Sequence, residues 1–119
     1  MQQNILFIVN APPYGSELSL SAMRLALALA GKEEHKPKIT VFLMSDATVM
    51  ALPNQQHASG NTMQEMIETL VELGGVVRLC RTCVQSRGLL DLPLIEGCSI
   101  GNLGELADYT LAADKVLTF

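Results

Sequence analysis

A chain of 119 residues is most simply one domain with a core of its own. Its residues are 49% hydrophobic and only 17% charged, which favours a chain that buries further surface against copies of itself. A formal charge of −4, with eight Lys and Arg spread along the sequence, argues against a nucleic-acid partner, which needs clustered cations, and leaves room only for a local basic patch beside Cys80.

Met1-Gln2-Gln3-Asn4 carries no positive charge, and the apolar run from Ile5 to Val9 is too short for the core of a signal peptide. The longest apolar stretch, Leu18 to Ala30, is interrupted by Ser19, Ser21 and Arg24 and is too short to span a bilayer. The expectation is a cytoplasmic protein with no membrane partner. Three cysteines, two of them three positions apart, make a poor disulfide framework and suit reduced thiols.

In chain order, Ile5-Leu6-Phe7-Ile8-Val9 is a continuous apolar run, the pattern of a strand covered on both faces and hence of a parallel sheet. Asn10-Ala11-Pro12-Pro13-Tyr14-Gly15 breaks it. Ser16 can cap a helix over Leu18 to Ala30, with Glu17 at its positive end and Gly31 to close it. After a charged connector, Ile39 to Met44 is a second strand, and Ser45-Asp46 can cap a short helix to about Ala51. Residues 52–61 are Pro, Asn, Gln, His, Ser and Gly among a few others, and are expected to form a mobile loop. Thr62 to Leu73 places Met63, Met66, Ile67, Leu70 and Val71 at helical spacing, and Gly74-Gly75 ends that helix.

Val76 to Cys80 is a third strand whose last residue is a thiol, with polar and basic residues and a turn or short helix directly after it. Residues 89–97 form a connection containing Pro93, followed by a short strand near Cys98 to Ile100. A helix beginning at Gly101 or Asn102 runs through Ala112, and Lys115 to Phe119 is a terminal strand. The alternation predicts a three-layer α/β/α sandwich on a mostly parallel sheet of about five strands, spanning 1–119 as one domain.

Ligands of such sheets gather at the carboxyl ends of the strands. Asn10, Asp46 and Cys80 all stand at such ends. A free thiol is only about 3% thiolate at pH 7, and a helix N-terminus with Arg81 or Arg87 beside it would raise that fraction roughly tenfold. Cys80 is therefore read as a candidate nucleophile, against the simpler reading of a small packed residue. Asp46 reads more naturally as a helix cap than as a catalytic carboxylate, and His57 as a solvated loop residue rather than an acid or base.

Cys80-Arg81-Thr82-Cys83 is a lone C-x-x-C. His35, His57 and Cys98 are isolated from it, so no metal is expected. A dithiol oxidoreductase using Cys80 and Cys83 stays open, although the Trp and cis-Pro surroundings of thioredoxin are not recognisable. Gly15 alone follows the first strand, so neither a G-x-G-x-x-G nor a G-x-x-x-x-G-K-[ST] loop exists, and no nucleotide, flavin or other cofactor is implied.

Several segments together resemble the YchN-like branch of the DsrE/DsrF sulfur-relay family: 10–17 (Asn-Ala-Pro-Pro-Tyr-Gly-Ser-Glu), 42–47, Leu79-Cys80-Arg81-Thr82-Cys83 with Arg87-Gly88, 92–95, and 113–119. The resemblance runs from end to end with its segments in the same order. It implies a parallel three-layer fold, a homohexamer built as a trimer of dimers, and a cysteine persulfide passed between sulfur donor and acceptor proteins. The spacing of Cys80 to Arg87-Gly88 matches that of the family's sulfur-carrying cysteine. Cys83 has no counterpart in the relay subunits, which leaves sulfur carriage on Cys80, dithiol chemistry, and a non-catalytic binding or adaptor module as alternatives.

Overall fold

The computed structural model describes residues 2–56 and 62–119. In chain order its elements are β1 (Asn4–Val9), α1 (Leu18–Ala30), β2 (Lys38–Leu43), a 3₁₀ helix (Ser45–Ala51), α2 (Met63–Glu72), β3 (Val76–Cys80), α3 (Arg81–Ser86), β4 (Cys98–Gly101), α4 (Leu103–Ala112) and β5 (Lys115–Thr118). The strands pair in the order β4-β3-β2-β1-β5, and every pair is parallel. The expected α/β fold on a five-stranded sheet is therefore observed, with no antiparallel member.

Side chains alternate across the sheet with a period of two. Ile5, Phe7, Val9, Val41, Leu43, Val77 and Leu79 point to the larger core, where they meet Ala22, Met23 and Ala26 of α1 and Ile67 and Leu70 of α2. Small alanines on α1 let its axis lie close to the strands, and each large side chain sealed there contributes roughly 1.5–3 kcal/mol. Leu6, Phe42 and Cys80 point the other way, into a smaller cluster closed by Leu106 of α4. Cys80 is thus the last residue of a central strand, on the thinly covered face.

Two helices begin where the sequence marks them. Thr62 accepts a hydrogen bond from the Glu65 amide at 3.2 Å, and Asn102 accepts one from the Glu105 amide at 2.9 Å, with an acidic residue in the first turn of each helix. At α1 the capping position is Glu17, while Ser16 Oγ accepts from the Leu18 amide at 3.3 Å. The capping role read for Ser45 and Asp46 is not observed. The residue that starts the 3₁₀ helix is Met44, with no side-chain cap, and the Asp46 carboxylate is taken by an ion pair to a residue far along the chain.

The described part of the 52–61 loop is held down rather than free. Gln55 Nε2 donates to the Val49 and Leu52 carbonyls at 2.7 and 2.9 Å, and the Asn54 amide donates to Gln64 Oε1 at 2.7 Å. His57 lies outside the described residues.

Gly101 is required by a close approach. A Cβ there would stand 3.0 Å from Glu105 Oε1 and 3.3 Å from Phe42 Cζ. The missing side chain leaves room for the Phe42 ring to reach across β3, since Phe42 pairs with Arg78 on β3, and Gly101 pairs with Cys80 from the other side.

Candidate functional site

The third strand ends and a helix begins with no intervening residue: Cys80 has extended backbone angles and Arg81 opens α3. This junction directs the first amides of α3 back at the Cys80 sulfur. Thr82 Oγ1 lies 3.3 Å from Cys80 Sγ, and the Cys83 side chain and the Thr82 and Cys83 backbone amides also hydrogen-bond it. Burial pushes the Cys80 thiol up, but these donors outweigh it and hold the thiol below its ordinary value.

The source of this stabilisation corrects the expectation. The Arg81 side chain is exposed and makes no hydrogen bond or ion pair among the described residues, so hydrogen bonds rather than an adjacent guanidinium favour the thiolate. Nor does the strand end leave the thiol open to solvent. Cys80 is only 5% exposed and belongs to the small cluster that holds Phe42 and Leu106, with Met44, Cys83 and Tyr109 packed against that cluster.

Cys83 sits one helical turn later and is half-buried. Burial raises its thiol, as does the hydrogen bond and negative charge of Cys80, while a hydrogen bond from the Ser45 backbone and the charge of Arg87 pull in the opposite direction. The net result is upward, so the two sulfurs are driven apart: Cys80 gives up its proton first and Cys83 keeps its own. Ser45 reaches Cys83 from a left-handed backbone conformation, φ 52°, which is unfavourable for a serine and typical of backbone held in place for a site.

Arg87 is the fastener of this arrangement. Its Nε donates to Asp46 Oδ1 at 3.0 Å, its second terminal nitrogen lies 2.9 Å from the same oxygen, and Nη1 donates to the Cys83 carbonyl at 3.1 Å and to Ser86 Oγ at 3.2 Å. A bond to Ser45 Oγ at 3.4 Å completes the clamp between the end of α3 and the start of the 3₁₀ helix. Asp46 and Arg87 are therefore brought to the thiol pair, as the sequence suggested, but as its scaffold. Asn10 is not. It follows β1, with β2 between that strand and β3, and it is exposed, its amide bonded to the Phe119 carbonyl at 2.8 Å.

Sequence alone gives Thr82 and Arg78 no role and reads Ser45 only as a helix cap at a strand end. Thr82 and Ser45 contact the sulfurs. Arg78, on the same sheet face as Cys80, hydrogen-bonds Ser99 and lies 3.6 Å from Glu105. A hydroxyl two positions after a strand-end cysteine was the available signal for Thr82; nothing local marks the other two. Among the described residues no group of three or more His, Cys, Asp and Glu side chains is placed to hold a metal ion.

Cys98 is a different kind of thiol. Burial pushes it up to about 12, so at pH 8 its thiolate is on the order of one part in ten thousand. It is expected to resist alkylation in the native protein and to react only after unfolding, which peptide mapping after iodoacetamide treatment will read. Native labelling of Cys98 at the rate of a free thiol would contradict this picture.

The DsrE/DsrF-like family matches residues 3–119. The chain belongs to that family. It is similar to the protein YchN of Escherichia coli strain K12, 46% identical over 117 residues that cover 98% of this chain and 99% of that one. An uncharacterized protein of Methanocaldococcus jannaschii is 32% identical over 114 residues, covering 94% of this chain and 96% of its own. The crystal structure of the ychN protein from E. coli superposes with a TM-score of 0.92 over 100% of both chains, at 46% identity. Membership in the DsrE/DsrF-like family supports a role related to sulfur relay at the level of the family. No helix among the described residues is long and apolar enough to cross a membrane.

Proposed function

We propose that this DsrE/DsrF-like chain is a cytoplasmic sulfur carrier that accepts sulfane sulfur as a persulfide on Cys80 and hands it to an acceptor protein. The observation that carries the reading is the convergence of the Thr82 hydroxyl, the Cys83 thiol and two backbone amides on one strand-end sulfur. Four donors favour the anion that the chemistry needs at both ends of the transfer. The Cys80 thiolate attacks the outer sulfur of a donor persulfide, the donor leaves as a thiolate, and the new persulfide is in turn attacked by an acceptor thiol. Free thiols suit a reducing compartment.

The test is direct. The reduced protein is incubated with a persulfide donor and its mass taken without reductant, beside Cys80→Ser. One added sulfur atom is expected on the unmodified chain directly after loading, and none on the variant. A chain that neither gains sulfur nor releases it as sulfide would remove the basis of the carrier reading. A second reading, a non-catalytic homo-oligomeric binding module, is favoured by the 5% exposure of Cys80. It expects Cys80 to alkylate no faster than a model thiol at neutral pH.

Assembly with copies of itself belongs to the same proposal, as a homohexamer arranged as a trimer of dimers. Helix α4 supports it: the helix buries only Leu106 and leaves Leu103 69% and Leu111 87% exposed, with Val116 of β5 also uncovered. Apolar side chains held this far into solvent are unusual unless something covers them. Replacing Leu103 and Leu111 together by Asp is expected to shift the mass in solution, read by light scattering, from oligomer to monomer. An unchanged mass would place the assembly surface elsewhere.

A further inference from the structure

In simple carriage the second sulfur serves only as a hydrogen-bond partner of Cys80. Cys83 stands three residues after Cys80 in the first turn of α3, a spacing that brings side chains to within about 5–6 Å at Cβ. Its sulfur is within hydrogen-bonding reach of Cys80. Its backbone is pinned by Arg87 through the Cys83 carbonyl, and Arg87 is itself anchored on Asp46. A merely packed thiol would not need an ion pair spanning two elements to hold its turn in place.

We propose that Cys83 discharges the Cys80 persulfide inside the chain, making the protein a persulfide reductase that liberates hydrosulfide and closes a Cys80–Cys83 disulfide. This rests on the carrier reading given above. The Cys83 sulfur attacks Cys80 Sγ, the inner sulfur of the persulfide. A bond forms between the two cysteine sulfurs, the bond from Cys80 Sγ to the outer sulfur breaks, and its electron pair departs with the outer sulfur. The proton of Cys83 goes to that leaving sulfur, giving HS⁻ from a persulfide anion and a neutral thiol. The sulfane sulfur is reduced by two electrons, and each cysteine sulfur is oxidised by one. Return to the dithiol consumes a dithiol, or two equivalents of a small thiol, by thiol–disulfide exchange.

The groups around the pair suit both halves of this cycle. While Cys80 is an anion, Cys83 stays protonated and does not compete for the incoming sulfur. Once sulfur is loaded, negative charge moves outward to the added atom, and the Ser45 amide and Arg87 remain to stabilise a developing thiolate at Cys83. Arg87 is then a positioning residue, acting on the attacking thiol and not on the loaded one. The sequence of events needs no metal or organic cofactor, because the sulfane sulfur is the oxidant.

The experiment uses inorganic polysulfide to load the reduced full-length chain, Cys83→Ser, Cys83→Ala and Cys98→Ala, followed by rapid desalting without reductant. Intact mass and free sulfide are then followed in time. All four are expected to take up one sulfur. The unmodified chain and Cys98→Ala then release one hydrosulfide per chain and arrive at a mass two hydrogens below the reduced protein. Both Cys83 variants keep the added sulfur, with release slower by roughly a hundredfold or more, since an intramolecular attack is lost. Thermal melts of the two variants establish that they are folded. A loaded unmodified chain that retains its sulfur as long as the Cys83 variants overturns the reductase inference and leaves the carrier reading standing; failure of every chain to load overturns both.

Discussion

Replacing Phe42 by Ala is expected to remove about 3–5 kcal/mol of stability and at the same time to open the Cys80 pocket. Phe42 is fully buried, packs edge-on to Tyr109 at 6.5 Å between ring centroids, and lays its ring tip over Gly101. It belongs to the small cluster of Leu6, Cys80 and Leu106, where one helix alone closes the face and little can move in to fill a void. Since a domain is stable by only about 5–15 kcal/mol in total, the denaturant midpoint falls sharply while its slope is retained. Phe7→Ala is the control. Phe7 is equally buried, stacks on Phe119 at 5.9 Å, and sits in the other core. It is expected to cost a similar amount but to leave the alkylation rate of Cys80 under native conditions unchanged, whereas Phe42→Ala accelerates it. Equal acceleration in both variants would mean that Cys80 becomes reachable by global loosening and not through the opening left at Phe42.

How much of this was legible beforehand depends on the distance over which each feature is decided. Strands such as Ile5 to Val9 announce themselves because burial on both faces demands an unbroken apolar run, and the helix starts near Thr62 and Asn102 rest on hydrogen bonds to amides only three positions away. The place of Cys80 is legible because a strand end is a local property. Asp46 reads as a cap from sequence because its partner, Arg87, is 41 residues later, and no local pattern says that the two meet. Proximity in sequence pairs both cations with Cys80, yet Arg81 is exposed to solvent and Arg87 acts on Cys83. Asn10 shares with Cys80 only the property of following a strand, while the order β4-β3-β2-β1-β5 puts β2 between β1 and the strand of Cys80. Strand order is a non-local outcome, and a pattern of apolar runs does not encode it.

The hydrogen-bond origin of the Cys80 thiolate leads to the second large effect. The rate of Cys80 alkylation is expected to rise with pH to a midpoint below that of a free thiol, in line with the direction of its shift. Thr82→Val removes a hydroxyl 3.3 Å from the sulfur and replaces it by a methyl of similar shape. A hydrogen bond to a charged acceptor is worth about 1.5–3 kcal/mol, or roughly one to two pH units, so the thiolate fraction at pH 7 falls about tenfold or more. Cys83→Ala moves the midpoint the same way, because it too removes a donor. Arg81→Gln leaves it in place. The sign carries over to folding. Because the Cys80 thiol is lowered in the folded chain, its ionisation contributes stability that is fully present above the unfolded thiol value, near ~8.5, and is lost as the pH drops through the folded midpoint. Urea denaturation of the unmodified chain against Thr82→Val is therefore expected to show a gap that widens on the alkaline side of that window and narrows below it. Should Arg81→Gln raise the alkylation midpoint while Thr82→Val leaves it unmoved, the sulfur would be governed by a nearby cation, and the α3 junction would lose its role as the source of the reactive anion.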